Sequence, residues 1–443
     1  MKKKVQKTLR FGIEFELFTL DEKGYMANGA DQLIARVKRE HPEIDIKREC
    51  GKNMIEITTP VETDVPAAMI RAMENFEVVA VAATEEKLVL YAYGTYPGAF
   101  TPEFHVHRRY RAQQKILGKQ RFAIAGRCVG LHIHYSLPWG VFDDIKKIIK
   151  PLIRSKNMQT MVDIYNLCIA MDPALFTFAQ SSPLYQGKYL AKDSRVLMYR
   201  GGKDLDSPEG LYANLPEFGA LQQYKTTSTD ILSQIADRFV DWAEILKSVG
   251  TKIAMFSKHG SILDNTWNPV KINSHGTMEI RGMDMNHPDI IAAIAILVKF
   301  LLKEIQEKHI RILPADTGVE HPFSFDGKTI VIPPDSFVRK NLQRRAAYEG
   351  LADDVVFNYC QAFFRMAKQF VPENREKILQ PLEDMLKSRM TTSDRIVAQL
   401  EKSGWTKEKE LTPAEAAEVA LSLSWDLYNE ILTTKERLKK VAA

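Results

Sequence analysis

The prediction of the fold starts from one stretch of sequence, Gly130-Leu131-His132-Ile133-His134-Tyr135-Ser136-Leu137. Polar and apolar residues alternate along it, which is typical of a β-strand with one buried face. In a strand His132 and His134 share one face, and the apolar residues share the other. Two imidazoles aimed into one space suit a metal ion or a phosphate chain. An exposed polar face explains the pattern equally well.

Acidic residues follow the same alternation in other segments. Glu14 and Glu16 lie two residues apart in the predicted strand at residues 9–18. Glu49 and Glu56 lie on either side of a predicted turn at residues 51–53. Glu279 and Arg281 lie two residues apart in the predicted strand at residues 278–284. A single glutamate in a strand is usually just solvated, and a Glu–Arg pair two residues apart is often a surface ion pair. The pattern becomes informative only if these strands belong to one sheet.

One shared sheet would place seven polar residues on one surface: Glu14, Glu16, Glu56, His132, His134, Glu279 and Arg281. Clustered carboxylates and imidazoles are unfavourable unless cations neutralise them. Carboxylates in excess over imidazoles favour Mg²⁺ or Mn²⁺ over zinc. Hard divalent ions beside basic side chains in turn suggest a nucleoside triphosphate and phosphoryl transfer.

Two loops carry further candidate residues. The first contains Ser181-Ser182-Pro183 and continues through Lys188 to Ser194 and Arg195. Hydroxyl and basic groups in such a loop can hold phosphates, although an ordinary charged loop is the alternative. The second places His105 and His107 before two arginines, where we favour an exposed loop and helix start over a second metal motif.

Composition limits the classes of function. A chain of 443 residues that is 45% hydrophobic can bury a large core. Its net charge of +5 is too small for a nucleic-acid-binding protein, although it suits anionic substrates. The four cysteines have no CxxC spacing, and we expect no signal peptide and no membrane-spanning segment. These features predict a cytoplasmic protein without a membrane or nucleic-acid partner.

Helices and strands are predicted across the chain. Predicted helices cover about residues 29–40, 66–87, 108–120, 140–153, 160–178, 229–249 and 287–312, and predicted strands cover 88–93, 121–137 and 328–332. Residues after Pro334 have an almost entirely helical composition. We therefore predict a catalytic domain over residues 1–333 and a helical region over 334–443 packed on it.

The motifs together resemble the glutamate–cysteine ligase family (the YbdK-like group) of the glutamine synthetase-like carboxylate–amine ligases. The resemblance rests on five segments in family order: Gly12 to Glu16, Glu49 with Met54 to Pro60, Gly130 to His134, Ser181 to Arg195, and Glu279-Ile280-Arg281 with Asp284. Tyr96 departs from the family, since many members have histidine in this turn. The loop from Glu103 to Tyr110 is also individual, so acceptor specificity is not inherited.

The resemblance implies an α+β fold in which an antiparallel sheet curves into an active-site funnel with helices packed outside. It implies ATP and Mg²⁺ as cofactors, with Mn²⁺ as an alternative. One ion near the substrate carboxylate would be held by Glu16, Glu49 and Glu56. The ion that bridges the β- and γ-phosphates would be held by Glu14, His132 and Glu279.

The same resemblance assigns the basic residues. ATP phosphates would be contacted by His134 and Arg195, with Ser194 and Lys188 on the same loop. Arg281 would lie near the acyl phosphate or bind the substrate carboxylate, so Arg281 and Arg195 are the candidate catalytic residues.

The implied activity is ATP-dependent amide formation through an acyl phosphate. Glutamate and cysteine are the expected substrates, which would make γ-glutamylcysteine for glutathione biosynthesis. Two other classes stay open, namely a phosphotransferase of the same fold type acting on a guanidino group and an ATP-independent metal hydrolase. The expected partners are amino acids and ATP, and a homodimer is left open.

Overall fold

A seven-stranded antiparallel sheet lies at the centre of the protein. The computed structural model describes residues 10–150, 155–251 and 261–442. The strands are β1 Phe11–Asp21, β2 Ile46–Arg48, β3 Met54–Thr58, β4 Leu88–Tyr91, β5 Gly130–Ser136, β6 Phe142–Asp143, β7 Ile148–Ile149, β8 Leu184–Tyr185, β9 Lys188–Tyr189, β10 Val270–Ile272, β11 Thr277–Asp284, β12 Arg311–Pro314 and β13 Thr329–Ile332.

The α-helices surround this sheet and form most of the C-terminal part. They are α1 Ala30–Glu40, α2 Val65–Glu85, α3 Arg108–Leu117, α4 Lys119–Phe122, α5 Lys156–Ala179, α6 Ser194–Arg200, α7 Pro216–Gly219, α8 Ser228–Ser248, α9 Pro288–Lys308, α10 Thr317–Glu320, α11 Asp335–Phe337, α12 Gln343–Glu349, α13 Asp354–Lys368, α14 Gln380–Ser388, α15 Thr392–Lys402 and α16 Pro413–Ala442.

The order of strands brings distant segments together. The sheet runs β10-β11-β5-β1-β3-β2, and β4 pairs with the end of β1. Glu14 lies opposite His132. Glu16 lies opposite Glu56, and Glu279 lies opposite His134. Because directly opposite residues share a face, the acidic and imidazole groups do lie on one surface of one sheet.

The other face of the sheet is apolar and buried. Ile13, Leu17, Leu131 and Ile133 each expose 0% of their surface. They face α2, α5 and α9, which pack against this sheet and against one another. Removal of this apolar surface from water is the main force that holds strand register and helices together. The α+β fold with an antiparallel sheet is confirmed.

Among the described residues, helix α5 is the one helix that is long and apolar enough to cross a bilayer by length and composition alone. Its whole apolar window is buried inside the protein. It therefore occupies the place of a core helix behind the sheet.

The C-terminal helix α16 packs on α2 and β4. The backbone N–H of Leu90 donates to the Tyr428 hydroxyl at 3.1 Å. The Tyr93 hydroxyl donates to the carbonyl of Leu423 at 3.0 Å. The helical C-terminal part thus contacts α2 and the edge of the sheet at β4 directly, while a domain boundary at residue 333 stays a prediction.

Two predicted elements are wrong where the structure describes them. Residues 119–126 form α4 and a short 3₁₀ turn, so β5 begins only at Gly130. The Arg121 guanidinium binds the carbonyls of Gly210 and Pro208 at 2.9 Å, a distant contact that a local pattern does not reveal.

The predicted helix over residues 140–153 is instead the hairpin β6–β7 up to residue 150. Asp143 accepts backbone N–H bonds from Ile145 and Lys146, and such local bonds compete with helix formation. Residues 151–153 of that prediction, and residue 9 of the first predicted strand, lie outside the described residues.

Candidate active site

A cavity of about 1020 Å³ lies over the polar face of the sheet. Its walls come from β1, β3, β5, β10 and β11, together with residues of α3 and α6. All six predicted ion ligands line it: Glu14, Glu16, Glu49, Glu56, His132 and Glu279. The cavity also holds His134, Arg195 and Arg281.

Two groups of possible ion ligands share Glu56. In the first group Glu16, Glu49 and Glu56 each offer an oxygen, and these oxygens lie within 4.8 Å of one another. This is the predicted set for one ion. In the second group Glu56 lies within the same distance of Glu14 and His132. The pocket therefore contains two adjacent positions where oxygen and nitrogen ligands converge.

His132 is oriented for ion binding through its hydrogen bond. Its Nδ1 lies 3.0 Å from Oε2 of Glu14. An ionised carboxylate only accepts, so this bond requires a proton on Nδ1, and in the neutral imidazole Nε2 then carries the lone pair. Within the described residues Nε2 is buried without a hydrogen-bond partner, and it lies 3.5 Å from Oε1 of Glu16. A fixed imidazole with a free nitrogen beside carboxylates is a frequent arrangement at metal sites.

The pKa values of the glutamates in the two ligand groups are shifted in opposite directions: those of Glu49 and Glu56 are raised, and that of Glu14 is lowered. Burial raises the pKa of Glu49 well above its usual range, and the charges of Glu16 and Glu56 add to it. Burial also raises the pKa of Glu56, assisted by the charge of Glu14. Burial acts on Glu14 in the same direction, but hydrogen bonds to His132 and His134 outweigh it and hold the pKa of Glu14 below its usual range. On the Glu49–Glu56 side, burial and repulsion between carboxylates therefore outweigh the nearby positive charges of Arg281 and Lys47.

Glu279 lies in a different environment. Oε1 accepts from Arg281 at 2.9 Å, and Oε2 is 3.4 Å from Nζ of Lys271 and 3.2 Å from the Asn273 amide. Burial would raise the pKa of Glu279, but Lys271 and Arg281 lower it overall. In the second ligand group Glu56 occupies the place predicted for Glu279. The role of Glu279 at the phosphate-bridging ion stays a prediction.

The loop that is predicted to bind phosphates lies only partly in the cavity. Arg195 lines it, and its guanidinium donates to the carbonyl of Arg281 at 3.4 Å. Among the described residues that line the cavity, neither Lys188 nor Ser194 is found. Lys188 is exposed and pairs with Glu410 at 3.4 Å, and Ser194 is fully buried at the start of α6. The structure therefore does not bring these two predicted residues to the site.

The histidine loop follows the favoured prediction. His107 caps α3, and its Nδ1 accepts the backbone N–H of Arg109 at 3.3 Å. His107 lines the cavity, whereas His105 Nδ1 lies 3.8 Å from Asp31. Neither histidine belongs to a ligand group formed by the described residues.

Sequence reasoning missed several cavity residues. Lys271 and Asn273 alternate with the buried Val270 and Ile272, so the period-two pattern was present in a strand too short to attract attention. The side wall is aromatic: the rings of Tyr212 and Trp267 stack at 5.6 Å, and the Arg109 guanidinium lies 5.3 Å from the Trp267 ring. Tyr212 and Trp267 lie in irregular segments, where no local pattern indicates their role.

A third group of possible ligands lies away from the cavity. His287, Asp289 and Glu430 have ligand atoms within 4.8 Å of one another where α9 meets α16. Arg437 lies 3.6 Å from Asp289 and already supplies a positive charge there. This group is best explained as part of the contact between the two helices.

Comparison with known proteins agrees with the geometry. The family model described as glutamate–cysteine ligase family 2 (GCS2) matches residues 10–324. A protein of Nocardioides sp. provisionally named glutamate–cysteine ligase 2-3 is 24% identical over 378 residues, covering 85% of this chain and 84% of the relative. A Chromobacterium violaceum protein provisionally named glutamate–cysteine ligase 2 is 26% identical over 184 residues, which cover 40% of this chain. The match spans 43% of that relative's length.

Two solved structures share the fold. Glutamate–cysteine ligase of Francisella tularensis, in complex with AMP, superposes with a TM-score of 0.58 at 12% identity and covers 98% of this chain and 93% of that protein. The bifunctional glutathione synthetase of Pasteurella multocida gives a TM-score of 0.54 at 14% identity, covering 95% of this chain. This chain spans 52% of the length of the bifunctional protein.

Proposed function

The chain belongs to the glutamate–cysteine ligase family 2, and from this premise we propose that it is an ATP-dependent carboxylate–amine ligase. The proposed reaction joins the γ-carboxylate of glutamate to the amine of cysteine. The observation that carries the proposal is the pair of ligand groups that share Glu56. Two adjacent cation positions in a cavity of about 1020 Å³ suit a triphosphate and an acidic substrate held side by side.

The residues present fit divalent ions. Glu16, Glu49 and Glu56 would hold one ion, and Glu14, Glu56 and His132 would hold the other, with Glu279 nearby. The raised pKa values of Glu49 and Glu56, caused first by burial, indicate carboxylates that need a further positive charge. Oxygen-rich sets with one imidazole favour Mg²⁺ or Mn²⁺. Bound there, the ions would neutralise phosphate charge and draw the triphosphate and substrate carboxylate together.

The proposed chemistry proceeds in two displacements. The substrate carboxylate attacks the γ-phosphorus of ATP, the bond to the bridging oxygen breaks, and ADP leaves. This step gives an acyl phosphate, whose phosphate is a far better leaving group than oxide. The amine then attacks the acyl carbon, phosphate departs, and the amine loses its proton, so the products are the amide, ADP and phosphate.

The basic residues of the cavity stabilise charge in this scheme. Arg195 and His134 would contact the phosphates of ATP, and Arg281 would meet the acyl phosphate or the substrate carboxylate. Arg281 is held in place by Glu279, which raises the pKa of its guanidinium despite burial. Oriented donors in a partly enclosed cavity stabilise a transferring phosphoryl group more strongly than water does.

A substrate screen tests the proposal. Purified protein is incubated with ATP, Mg²⁺ and pairs of amino acids, and ADP is measured together with the amide by mass spectrometry. We expect ADP and amide in equal amounts for glutamate with cysteine, and loss of both in His132→Ala. The exposed Glu320→Gln variant is the matched control.

Other products would contradict the proposal. A stable phosphorylated acceptor without amide would indicate a phosphotransferase. Hydrolysis of substrate without ATP would indicate a metal hydrolase. Near-normal turnover in His132→Ala would exclude the predicted role of this histidine at the phosphate-bridging ion.

A further inference from the structure

The guanidinium of Arg195, which lines the cavity, packs against the backbone of Gly130 at the start of β5. A methyl group added to Gly130 would overlap Nη2 and Cζ of Arg195, so only glycine leaves room there. The backbone N–H of Gly130 donates to Oε2 of Glu16 at 2.6 Å. Arg195 therefore lies beside the acidic cluster, in space that is open because residue 130 has no side chain.

Asp284 lies opposite Gly130 in the register of β5 and β11. It is fully buried and does not line the cavity. Its Oδ2 accepts the backbone N–H of Ser181 at 3.0 Å. Burial raises the pKa of Asp284, while Arg195 and the Ser182 hydroxyl oppose that rise. The carboxylate thus hydrogen-bonds to the start of the 181–195 loop, and it lies on β11 opposite Gly130, against which the guanidinium at the end of that loop packs.

The loop that carries Arg195 is closed by short polar contacts. The backbone N–H of Arg195 donates to Oγ of Ser182 at 3.2 Å, and the N–H of Ser194 donates to the Ser182 carbonyl at 2.9 Å. Asp193 caps α6 through the N–H of Val196 at 2.8 Å. Because Ser181 and Ser182 are adjacent, whatever holds Ser181 also holds the backbone of Arg195.

The neighbouring arginine is already engaged. Arg200 binds Asp172 through two contacts of 2.6 and 2.9 Å. Arg195 makes no such carboxylate pair among the described residues, and its Nε is buried without a hydrogen-bond partner. Its guanidinium lies 5.4 Å from the Tyr199 ring, and its Nη2 donates to the carbonyl of Arg281 at 3.4 Å. Nη1 makes no hydrogen bond to the described residues and is left for a ligand.

We propose that Asp284 is a positioning residue, which holds the Ser181-Ser182 turn and thereby aims Arg195 at the triphosphate in the cavity. The proposal rests on the proposed function and deepens it. Asp284 touches no substrate and acts only through Arg195. A guanidinium must be fixed in plane and direction to donate two N–H groups to one phosphate, and a misplaced donor loses much of its effect.

The test compares Asp284→Asn with Asp163→Asn. Both wild-type carboxylates are buried and accept a backbone N–H, since Asp163 binds Ile312 at 3.2 Å far from the cavity lining. Binding of a non-hydrolysable ATP analogue with Mg²⁺ is measured by calorimetry. We expect about tenfold weaker binding in Asp284→Asn and wild-type binding in Asp163→Asn.

A double-mutant cycle separates positioning from general damage. In the Arg195→Met background, Asp284→Asn should weaken binding no further, because its effect passes through the missing guanidinium. The KM for glutamate should change less than the KM for ATP. Ser182→Ala removes only the hydroxyl that accepts the backbone N–H of Arg195, and it should weaken nucleotide binding in the same direction but to a smaller extent. This variant replaces Asp284→Asn in the test if Asp284→Asn does not fold.

Three results would overturn the proposal. The first is nucleotide binding that is unchanged in both Asp284→Asn and Ser182→Ala. An equal effect of Asp284→Asn with and without Arg195 would show that the residue acts elsewhere. If the wild-type protein binds no nucleotide, the proposed function itself fails, and this outcome is distinct from loss of binding in the variants alone.

Discussion

The two ends of the cavity hold their carboxylates in different ways. At the β10–β11 end, Glu279 has Arg281 at 2.9 Å and Lys271 at 3.4 Å, and these cations lower its pKa although burial opposes them. At the β1–β3 end, Lys47 lies 3.6 Å from Glu56 but is half exposed and also pairs with Asp45 at 3.0 Å. Burial and mutual repulsion raise the pKa values of Glu49 and Glu56 there.

The two ends therefore differ in what neutralises their carboxylates: protein cations at the β10–β11 end and, in the proposed function, a bound ion at the β1–β3 end. A carboxylate with its own buried counterions contributes to folding without any ligand. Carboxylates that repel one another are held together by the rest of the fold and are stabilised only when a cation arrives. We therefore expect substitutions at the two ends to change stability in opposite directions.

The largest expected effect is the loss of catalytic activity in the Glu56→Gln variant. Glu56 belongs to both ligand groups, so its loss should lower kcat/KM about a thousandfold. In the presence of a chelator the variant should be at least as stable as wild type, because one repelling charge is gone. Added Mg²⁺ should raise the Tm of wild type and leave that of the variant nearly unchanged. Destabilisation of the metal-free variant would contradict the comparison.

Glu279→Gln should instead destabilise the protein. The substitution leaves Lys271 and Arg281 buried without the carboxylate that both of them pair with. We therefore expect the free energy of unfolding to decrease by about 3 kcal/mol. Urea denaturation in the presence of a chelator measures it, and the exposed Glu320→Gln variant should change by less than about 0.5 kcal/mol. Equal stability of Glu279→Gln and wild type would remove the distinction between the two ends.

The pH dependence of stability sharpens the same contrast. Because the pKa of Glu49 is raised in the folded state, the folded protein holds this proton more tightly than the unfolded chain above a pH of about 4.5. The free energy of unfolding of metal-free wild type should then fall, relative to Glu49→Gln, by up to about 1.4 kcal/mol per pH unit as pH rises through that window. Denaturation curves from pH 5 to 7 measure the difference, and parallel profiles would refute it.

The lowered pKa of Glu279 has the opposite sign. Its contribution is present above its unfolded pKa and is lost as pH falls further into the acid range. The stability difference between wild type and Glu279→Gln should therefore decrease below about pH 4.5.

The smallest expected effect concerns Lys188→Ala. Lys188 is exposed, pairs with Glu410 and is not among the described residues that line the cavity. The KM for ATP should stay within about twofold of wild type, since an exposed ion pair contributes little. A tenfold increase would restore the role that the sequence resemblance assigned to this lysine.

Much of the site was predictable because its pattern is local. The alternation in β1, β3, β5 and β11 depends only on the two-residue period of a strand, so the polar faces could be read directly from the sequence. The polar residues of β10 follow the same rule, but three residues are too few to distinguish a strand from chance. Residues 121–126 of the predicted strand 121–137 are instead the end of α4 and a 3₁₀ turn, where Arg121 binds the carbonyls of Pro208 and Gly210, a contact distant in sequence.

The sequence by itself determined that acidic and imidazole side chains lie on one face of several strands, and that the opposite face is apolar. Only the tertiary structure decided which of them meet: register places Glu56 beside both ligand groups, and β10 provides Glu279 with Lys271. It also decided that Arg195 enters the cavity while Lys188 does not. The reason is physical, since periodicity is a property of neighbouring residues, whereas register, loop path and charge pairing depend on contacts between segments far apart in the chain.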